Sequence, residues 1–534
     1  MTVNVSDFLR EAAEQDPDGT ALVEHGGAGP GRQDEPERHD LSWADLDSAA
    51  DAVARALSGR GLVAGQRVAV VMANRIDLPI AYFGILRGGM VAVPMNPRST
   101  TGEIGRMLAD AKVKVVLCDE AGVVPTREAL ALDDGLSDCS VVVDGTKTRA
   151  GETAFATFLA GAPDVDPAAP RDAEALAVIL YTSGTSGKPR GVMLTHRALI
   201  ANIEQTAAID PPPVTSDDVC LGLLPMFHIY GLNAVLGQAV RQCARVLMVD
   251  GFDPDGLLDT IVSEGVTNVP VAPPIVAAWA GRDDLREKLS GVSLVLSGAS
   301  ALDPDLAATF FESSGHHVEQ GYGLTETAPV IATTLGSPRG PDDAPKPGSV
   351  GRPLPGIEVR VVDAGGHDAS PGDPAELWVR GDNVFSGYWP DGADGPHEDG
   401  WYPTGDVGLI DVDGDLTLVD RLRELVIVSG FNVYPFEVEE VIAEVDGVVE
   451  VAVVGTTDEQ TGEAVLAFVV PGDGVDEATV QAAVQEHCAE RLARFKQPSR
   501  IVVVSGLPHS ATGKVAKGRL RALARSDALG LGTQ

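Results

Sequence analysis

At 534 residues with a formal net charge of −38, the chain is too long for a single hydrophobic core and too acidic to favour nucleic acid or an anionic lipid surface as a partner. Hydrophobic residues at 44% and charged residues at 22% are those of an ordinary globular protein, and no apolar run reaches the ~20 residues of a membrane span. Five scattered cysteines, Cys118, Cys139, Cys220, Cys243 and Cys488, give neither a disulfide framework nor a zinc spacing. With Met1 to Phe8 lacking the basic-then-apolar order of a secretory signal, they predict a reducing, cytoplasmic setting.

The chain opens with a short helix and a strand near Ala21–Val23, then a Gly, Pro and charge-rich stretch, Gly26 to His39, that reads as an exposed loop. Ser42 to Asp45 resembles a capping box, and Leu46, Ala49, Ala50, Val53 and Leu57 fall on one helical face behind it. Apolar strands are expected at 67–73, 91–94 and 114–118, with a helix over 77–87 stopped by Gly88-Gly89. Strands alternating with helices imply parallel α/β layers, and the alternation continues through apolar runs at 175–180, 221–224, 268–272 and 293–296. From about residue 345 the pattern turns to short strands and Gly/Pro turns, a small β subdomain. Asp411 to Asp415 lacks the full spacing of a calcium loop and reads as a hairpin turn. Asp420 to Glu424 is a charged break, and the rest reads as α+β. The expected fold is therefore α/β: a large N-terminal domain of layered parallel α/β subdomains with a small β subdomain (1–419), a hinge (420–424) and a smaller α+β C-terminal domain (425–534).

The most informative stretch is Tyr181 to Arg190, YTSGTSGKPR. It follows a buried strand, and small hydroxylated residues replace the hydrophobes. Gly184 and Gly187 free the backbone; Thr182, Ser183, Thr185 and Ser186 supply hydroxyls; Lys188 adds a positive charge. Such a loop can fold over an anionic, oxygen-rich group such as a nucleotide triphosphate. It is not a P-loop. Thr182 stands where the first Gly belongs, and Pro189 follows the lysine, so no phosphate-capping helix can begin there.

A second constellation is Gln320 to Thr327, QGYGLTET. Gly321 and Gly323 allow close backbone approach, Tyr322 offers a flat face for a base, Thr325 can donate to a phosphate, and Glu326 is a hard oxygen ligand suited to a magnesium ion shared with phosphates.

Tyr181 to Arg190 resembles the phosphate-binding signature of the adenylate-forming superfamily, which includes acyl-CoA synthetases, luciferases and peptide-synthetase adenylation domains. The 320–327 stretch, Trp401 to Asp406, Asp420 to Glu424, Ser429 to Pro435 and Pro508 to Lys514 agree with it in order and spacing. The resemblance implies that Asp406 accepts the ribose hydroxyls, a carboxylate being able to take two hydrogen bonds at once. It further implies a ribose or phosphate contact for Arg421, a hinge at Arg423 (where relatives often carry Lys or Asp), passage of the pantetheine arm at Gly430, and catalysis by Lys514. His509 departs from the Lys or Arg of many members. His228, Tyr230, Ser297, Gly298, Ala299 and Gly321 correspond to positions lining the acid pocket and nucleotide, with His228 also a candidate catalytic residue. Thr185, Lys188, Glu326 and magnesium would manage the departing pyrophosphate.

The implied activity is an AMP-forming acid–thiol ligase using ATP, CoA and Mg2+. A mobile C-terminal domain would withdraw Lys514 before the thiol attacks. The motifs resemble fatty acyl-CoA ligases most, with 4-coumarate-type aryl ligases next. Loading of an acyl-carrier protein is disfavoured, because the insertion of fatty acyl-AMP ligases is not seen between Thr333 and Gly356. A P-loop ATPase or kinase is disfavoured by Pro189. A homodimer stays open.

Overall fold

A computed structural model describes residues 2–25, 38–145, 147–163, 172–182, 189–338, 343–370, 372–421, 424–428, 431–458, 461–472, 474–509 and 514–528. The chain divides into two compact units, Met1–Glu358 with Val379–Tyr402, and Val359–Trp378 with Pro403–Gln534.

The first unit is built on two sheets. One is seven-stranded among the described residues and runs, edge to edge, Thr153–Ala154, Ser140–Val143, Val115–Cys118, Arg67–Val71, Val91–Pro94, Leu176–Thr182, Arg190–Thr195. All its pairs are parallel except the last. Its central strands are Val-rich and, apart from the half-buried Arg67 at a strand start, buried, as strands covered on both faces must be. Helices Thr101–Asp110 and Glu120–Leu132 pack Ile104, Leu108, Val123 and Ala129 onto Val71, Val93, Val116 and Val143. The first of these helices starts at a full capping box, Thr100 with Glu103. At Ser42 only half of the expected box forms. Its hydroxyl accepts from the Asp45 N–H and donates to the Asp45 carboxylate.

The other sheet runs His39–Ser42, Thr20–Glu24, Arg245–Met248, Val219–Gly222, Asn268–Val271, Leu294–Ser297, Val318–Gly323, Val330–Thr333, Ser349–Pro353. It is parallel from Thr20–Glu24 to Val318–Gly323 and antiparallel beyond both ends. Trp279, Phe310, Leu257 and Ile261 pack onto Val269, Val271 and Val295. The α/β layers expected from the sequence are present. The antiparallel margins were not expected, because a periodicity of two does not report strand direction.

Apart from the end residues Glu358, Val379, Arg380 and Tyr402, the second unit carries the strands Glu358–Val362, Ala375–Arg380, Tyr402–Ile410 and Leu416–Arg421, the last two joined by the Asp411–Asp415 turn, in which Asp411 accepts from the N–H groups of Asp413 and Asp415. A further sheet, Phe431–Val433, Val426–Val428, Gly462–Pro471, Val448–Asp458, with Arg500–Val503 beside Gly462–Pro471, packs Pro435–Ala443 and Glu477–Arg491 through Val438, Ile442, Val480 and Val484. Leu520 and Ala524 of the helix Lys517–Ala528 cover Ala452, Val454 and Phe468. Among the described residues no helix is long and apolar enough to cross a membrane.

Candidate active site

The strand Leu176–Thr182 runs antiparallel to Arg190–Thr195, with Tyr181 opposite Gly191 and Thr182 opposite Arg190. The hydroxyl-rich loop therefore joins two strands of a hairpin. A P-loop joins a strand to a helix, so the geometry agrees with the exclusion drawn from Pro189. Thr182 ends the strand half-buried. Ser183, Gly184, Thr185, Ser186, Gly187 and Lys188 lie outside the described residues.

Gln320, Gly321, Tyr322 and Gly323 form the C-terminal half of the strand Val318–Gly323, where open parallel sheets present ligands. Tyr322 is buried, and space is open where a Cβ of Gly321 would stand. At Gly323 a Cβ would lie 1.9 Å from the Pro329 carbonyl oxygen, so the turn closes only over glycine. The Gln320 amide donates to the Ser349 carbonyl at 3.3 Å.

Thr325 and Glu326 sit on a single 3-10 turn, Thr325–Thr327, fixed from several sides. Thr327 Oγ1 donates to the Pro329 carbonyl at 2.6 Å. Asn383 Nδ2 donates to the Thr327 carbonyl, Asn233 Nδ2 to that of Ala328 and Asn202 Nδ2 to that of Val330, each at 2.7 Å. All three asparagines are buried, where an unpaired carbonyl costs about 1–3 kcal/mol. The Glu326 carboxylate accepts from the Tyr388 hydroxyl at 2.6 Å through Oε1, and its main-chain carbonyl accepts from Phe385 N–H at 2.9 Å. Burial and the Glu326 charge push the Tyr388 phenol up to about 12, so it stays a donor. Tyr388 in turn is held by the hairpin. Trp389 N–H donates to the Gly191 carbonyl at 2.8 Å, and the Arg190 guanidinium lies 3.6 Å from the Tyr388 ring centroid.

His228 and Tyr230 follow the strand Val219–Gly222. Asn74, buried, holds this stretch in place: its amide reaches the carbonyls of Gly222, Leu223 and Leu224 at 3.0, 3.2 and 2.8 Å, and its oxygen accepts from Met226 N–H at 3.0 Å. Tyr230 opens a π-helical stretch, Tyr230–Gly237, a form that recurs at functional sites. Its hydroxyl donates to the Leu296 carbonyl at 3.2 Å, and burial raises its pKa. The ring crosses Gly298 so closely that a Cβ there would lie 2.6 Å from it, and Leu224, Val235 and Ala272 pack beside it. His228 is half-buried, its ring 4.9 Å from that of Phe227. Ser297 is buried, its hydroxyl without a hydrogen-bond partner, and Ala299 has φ 75°, a backbone rarely taken by a residue with a Cβ.

In the second unit Asp406 is buried in the strand Tyr402–Ile410, directly opposite Arg421. Gly405 before it has φ 73°, and its N–H donates to Glu376 at 3.2 Å. Lys514 is exposed. It follows residues 510–513, which like Arg423 and Gly430 lie outside the described set. The ends of its loop meet at a bridge of His509 with Val515, with Ala516 N–H donating to the Pro508 carbonyl at 2.6 Å. His509 Nε2 lies 3.1 Å from Glu450, and Lys517 Nζ lies 2.9 Å from Glu424 and 2.8 Å from Glu439. Burial alone would lower the Lys517 ammonium, but the two carboxylates outweigh it and raise it.

The profile of the AMP-binding enzyme family matches residues 9–389, and that of the AMP-binding enzyme C-terminal domain matches 437–514. The chain belongs to the AMP-binding enzymes. It is 33% identical to the 4-coumarate–CoA ligase-like protein 9 of Oryza sativa subsp. japonica over 97% of its own length and 92% of that protein. It is 31% identical to the long-chain-fatty-acid–CoA ligase of Bacillus subtilis (strain 168), over 96% and 93%. Among solved structures, ATP-bound MatB from Rhodopseudomonas palustris superposes with a TM-score of 0.85 at 31% identity, covering 98% of this chain and 99% of that one. The membership read from the motifs, on the acyl-CoA synthetase side of the adenylate-forming enzymes, is borne out, as is the α/β fold with its smaller C-terminal part.

For an AMP-binding enzyme, the carboxylate at 326 suits a cation shared with substrate. Among the described residues no cluster of three or more His, Cys, Asp or Glu could cage a metal. Glu326 is half-buried, and among the described residues the hydrogen bond to its carboxylate is at Oε1. One carboxylate, with phosphates and waters completing the shell, is the arrangement magnesium favours. Tyr388, Asn74, Asn202, Asn233 and Asn383 escaped the sequence reading. Asn233 had a signal, a lone amide inside the apolar run Leu232-Asn-Ala-Val-Leu236. Tyr388 had none, because its partner is 62 residues away.

Proposed function

We propose that the protein joins a carboxylic acid to the α-phosphate of ATP, releasing pyrophosphate, and passes the acyl group from the resulting acyl-AMP to the thiol of CoA, releasing AMP. The acid proposed is a medium- or long-chain fatty acid, and the setting is cytoplasmic. The observation carrying the reading is the Glu326 turn: a single carboxylate clamped at the carboxyl end of a parallel strand, tied through Tyr388 to the hairpin whose loop is rich in Gly, Ser and Thr.

The carboxylate substrate is its own nucleophile, so the protein's work is positioning and charge neutralisation. Magnesium, when bound at Glu326, would withdraw charge from the phosphates. Thr182 to Lys188 hold the β- and γ-phosphates, Tyr322 stacks on the adenine, and Asp406 with Arg421 takes the ribose. Lys514 neutralises charge as the carboxylate oxygen attacks phosphorus. His228 and Tyr230 flank the acid, and the apolar packing of Leu224, Val235 and Ala272 around Tyr230 suits a hydrocarbon tail. Arg423 is proposed as the hinge between a 1–419 domain and a 425–534 domain, with Gly430 passing the pantetheine arm in the second half-reaction.

An aryl acid is the second reading. It is favoured by the likeness to the rice 4-coumarate–CoA ligase-like protein and by the flat Tyr230 face beside Gly298. Product analysis after mixing protein, ATP, CoA, Mg2+ and a panel of acids decides. AMP with a fatty acyl thioester supports the first reading, AMP with an aryl thioester the second, and ADP would overturn both.

A further inference from the structure

We propose that Tyr388 is a positioning residue for the Glu326 carboxylate: its hydroxyl fixes Oε1 so that Oε2 is presented to the metal. The proposal rests on the reading of Glu326 as a metal ligand.

A glutamate carboxylate turns about its last torsion with little restraint, since terminal sp3–sp2 torsions are broad. Here a 2.6 Å bond from a phenol ends that freedom. The phenol is itself held from four directions. Its ring meets Phe385 edge-on at 5.1 Å, and Tyr402 hydrogen bonds to it. Its backbone bridges Val192, while the flanking Ser386 N–H and Trp389 N–H donate to the carbonyls of Met193 and Gly191. Over its face lies Arg190, tied to Asp394 at 2.7 Å. Arg190 comes two residues after Lys188, on the first strand residue beyond the loop. The shell behind a metal ligand commonly costs about 10–100-fold in metal affinity when it is removed.

The test measures Mg2+ binding by calorimetry to the full chain holding ATP without acid, so that nothing turns over. Tyr388→Phe keeps the ring and loses only the hydroxyl. Its Mg2+ dissociation constant should rise about tenfold, while ATP binding in EDTA, which also reports an intact fold, stays within about twofold. On a Glu326→Gln background the same substitution should add nothing, because the two act on one ligand. Unchanged Mg2+ affinity in Tyr388→Phe, or losses that simply add on the Glu326→Gln background, would overturn the positioning role. A wild-type protein whose Mg2+ binding is indifferent to Glu326→Gln would overturn the metal reading itself, and the proposal with it.

Discussion

The two stretches that carry the proposed chemistry are held by opposite means. Glu326 stands on a turn stapled by neutral groups: three buried asparagine amides, a threonine hydroxyl, a tyrosine hydroxyl and a glycine that no other residue can replace. Lys514 stands on a loop whose neck is held by two short backbone contacts and by ion pairs, His509 with Glu450 and Lys517 with Glu424 and Glu439. Neutral buried hydrogen bonds are insensitive to salt and pH and fix direction tightly. Ion pairs answer to both. A carboxylate proposed to hold a metal needs one geometry throughout, whereas a lysine proposed to act in only one half-reaction does not.

The largest expected effect separates the two half-reactions. Lys514→Ala should slow pyrophosphate release from acid and ATP by about 10²–10³-fold, the usual loss of a group acting on transition-state charge. Thioester formation from supplied acyl-AMP should hold near the wild-type rate, because no phosphorus is attacked in that step. Equal loss in both assays would mean that Lys514 maintains structure.

Next in size is the buried end of the lysine loop. Lys517 and Glu439 are each 14% exposed. Lys517→Met would leave the buried Glu439 without its cation, while Glu424 keeps Arg521 at 3.7 Å, and removing one partner of a buried pair costs about 3–5 kcal/mol. Urea denaturation of the full chain should show that loss in the transition of the second unit. The paired change Lys517→Met with Glu439→Leu should recover much of it, since a hydrophobic replacement of the whole pair can be nearly neutral. No recovery would show that the ammonium does more than neutralise Glu439.

The framework of the fold was legible from the sequence because its signals are local. The Val-rich runs at 67–71, 91–94 and 115–118 are strands within a residue or two, and the Pro and Gly punctuation of the 345–421 region separates strands as expected. The motif residues were legible because each is contiguous with its neighbours. What could not be read were relations across the chain: the antiparallel direction of Arg190–Thr195, the π-helical stretch after Tyr230, and the Tyr388–Glu326 bond. Each depends on which strand lies beside which, and hydrophobic period carries no record of that.

A smaller effect reads the first unit's insensitivity to pH at its weakest point. His196 begins the helix His196–Ala207, is buried, and accepts the Val5 N–H at 3.2 Å through Nδ1. Burial pushes its pKa down to about 4. A histidine lowered in the folded state stays neutral while the unfolded chain takes up a proton near pH 6.5, so stability is lost as pH falls from about 6.5 towards 4. Between pH 8 and 5 the loss should be about 2 kcal/mol. Asp77 works the other way. Burial and the nearby Asp144 raise its carboxyl to about 7, so its contribution improves as pH falls from about 7 to 4. His196→Gln cancels only the first of these. Subtracting the denaturation midpoints of variant and wild type across pH isolates the histidine, and a flat difference would mean that His196 titrates normally.

The smallest effect tests the exposed end of the lysine loop. His509 and Glu450 are 35% and 40% exposed in their side chains. A pair this wet is worth at most about 1 kcal/mol and is screened by salt. A lysine at 509 would supply Glu450 with a cation throughout the neutral range. His509→Lys should therefore gain about 0.5 kcal/mol at pH 8 and low salt and nothing at pH 8 in 1 M salt, where the Debye length is about 3 Å. If the neck of the loop also governs how often Lys514 is correctly placed, pyrophosphate release at pH 8 should rise by the same factor of about two, with thioester formation from acyl-AMP unmoved. A stability gain without the rate gain would assign the pair to the fold alone. A rate gain that survives 1 M salt would mean that the side chain at 509 acts by its shape or by touching substrate, since a charge pair at this exposure could not persist there.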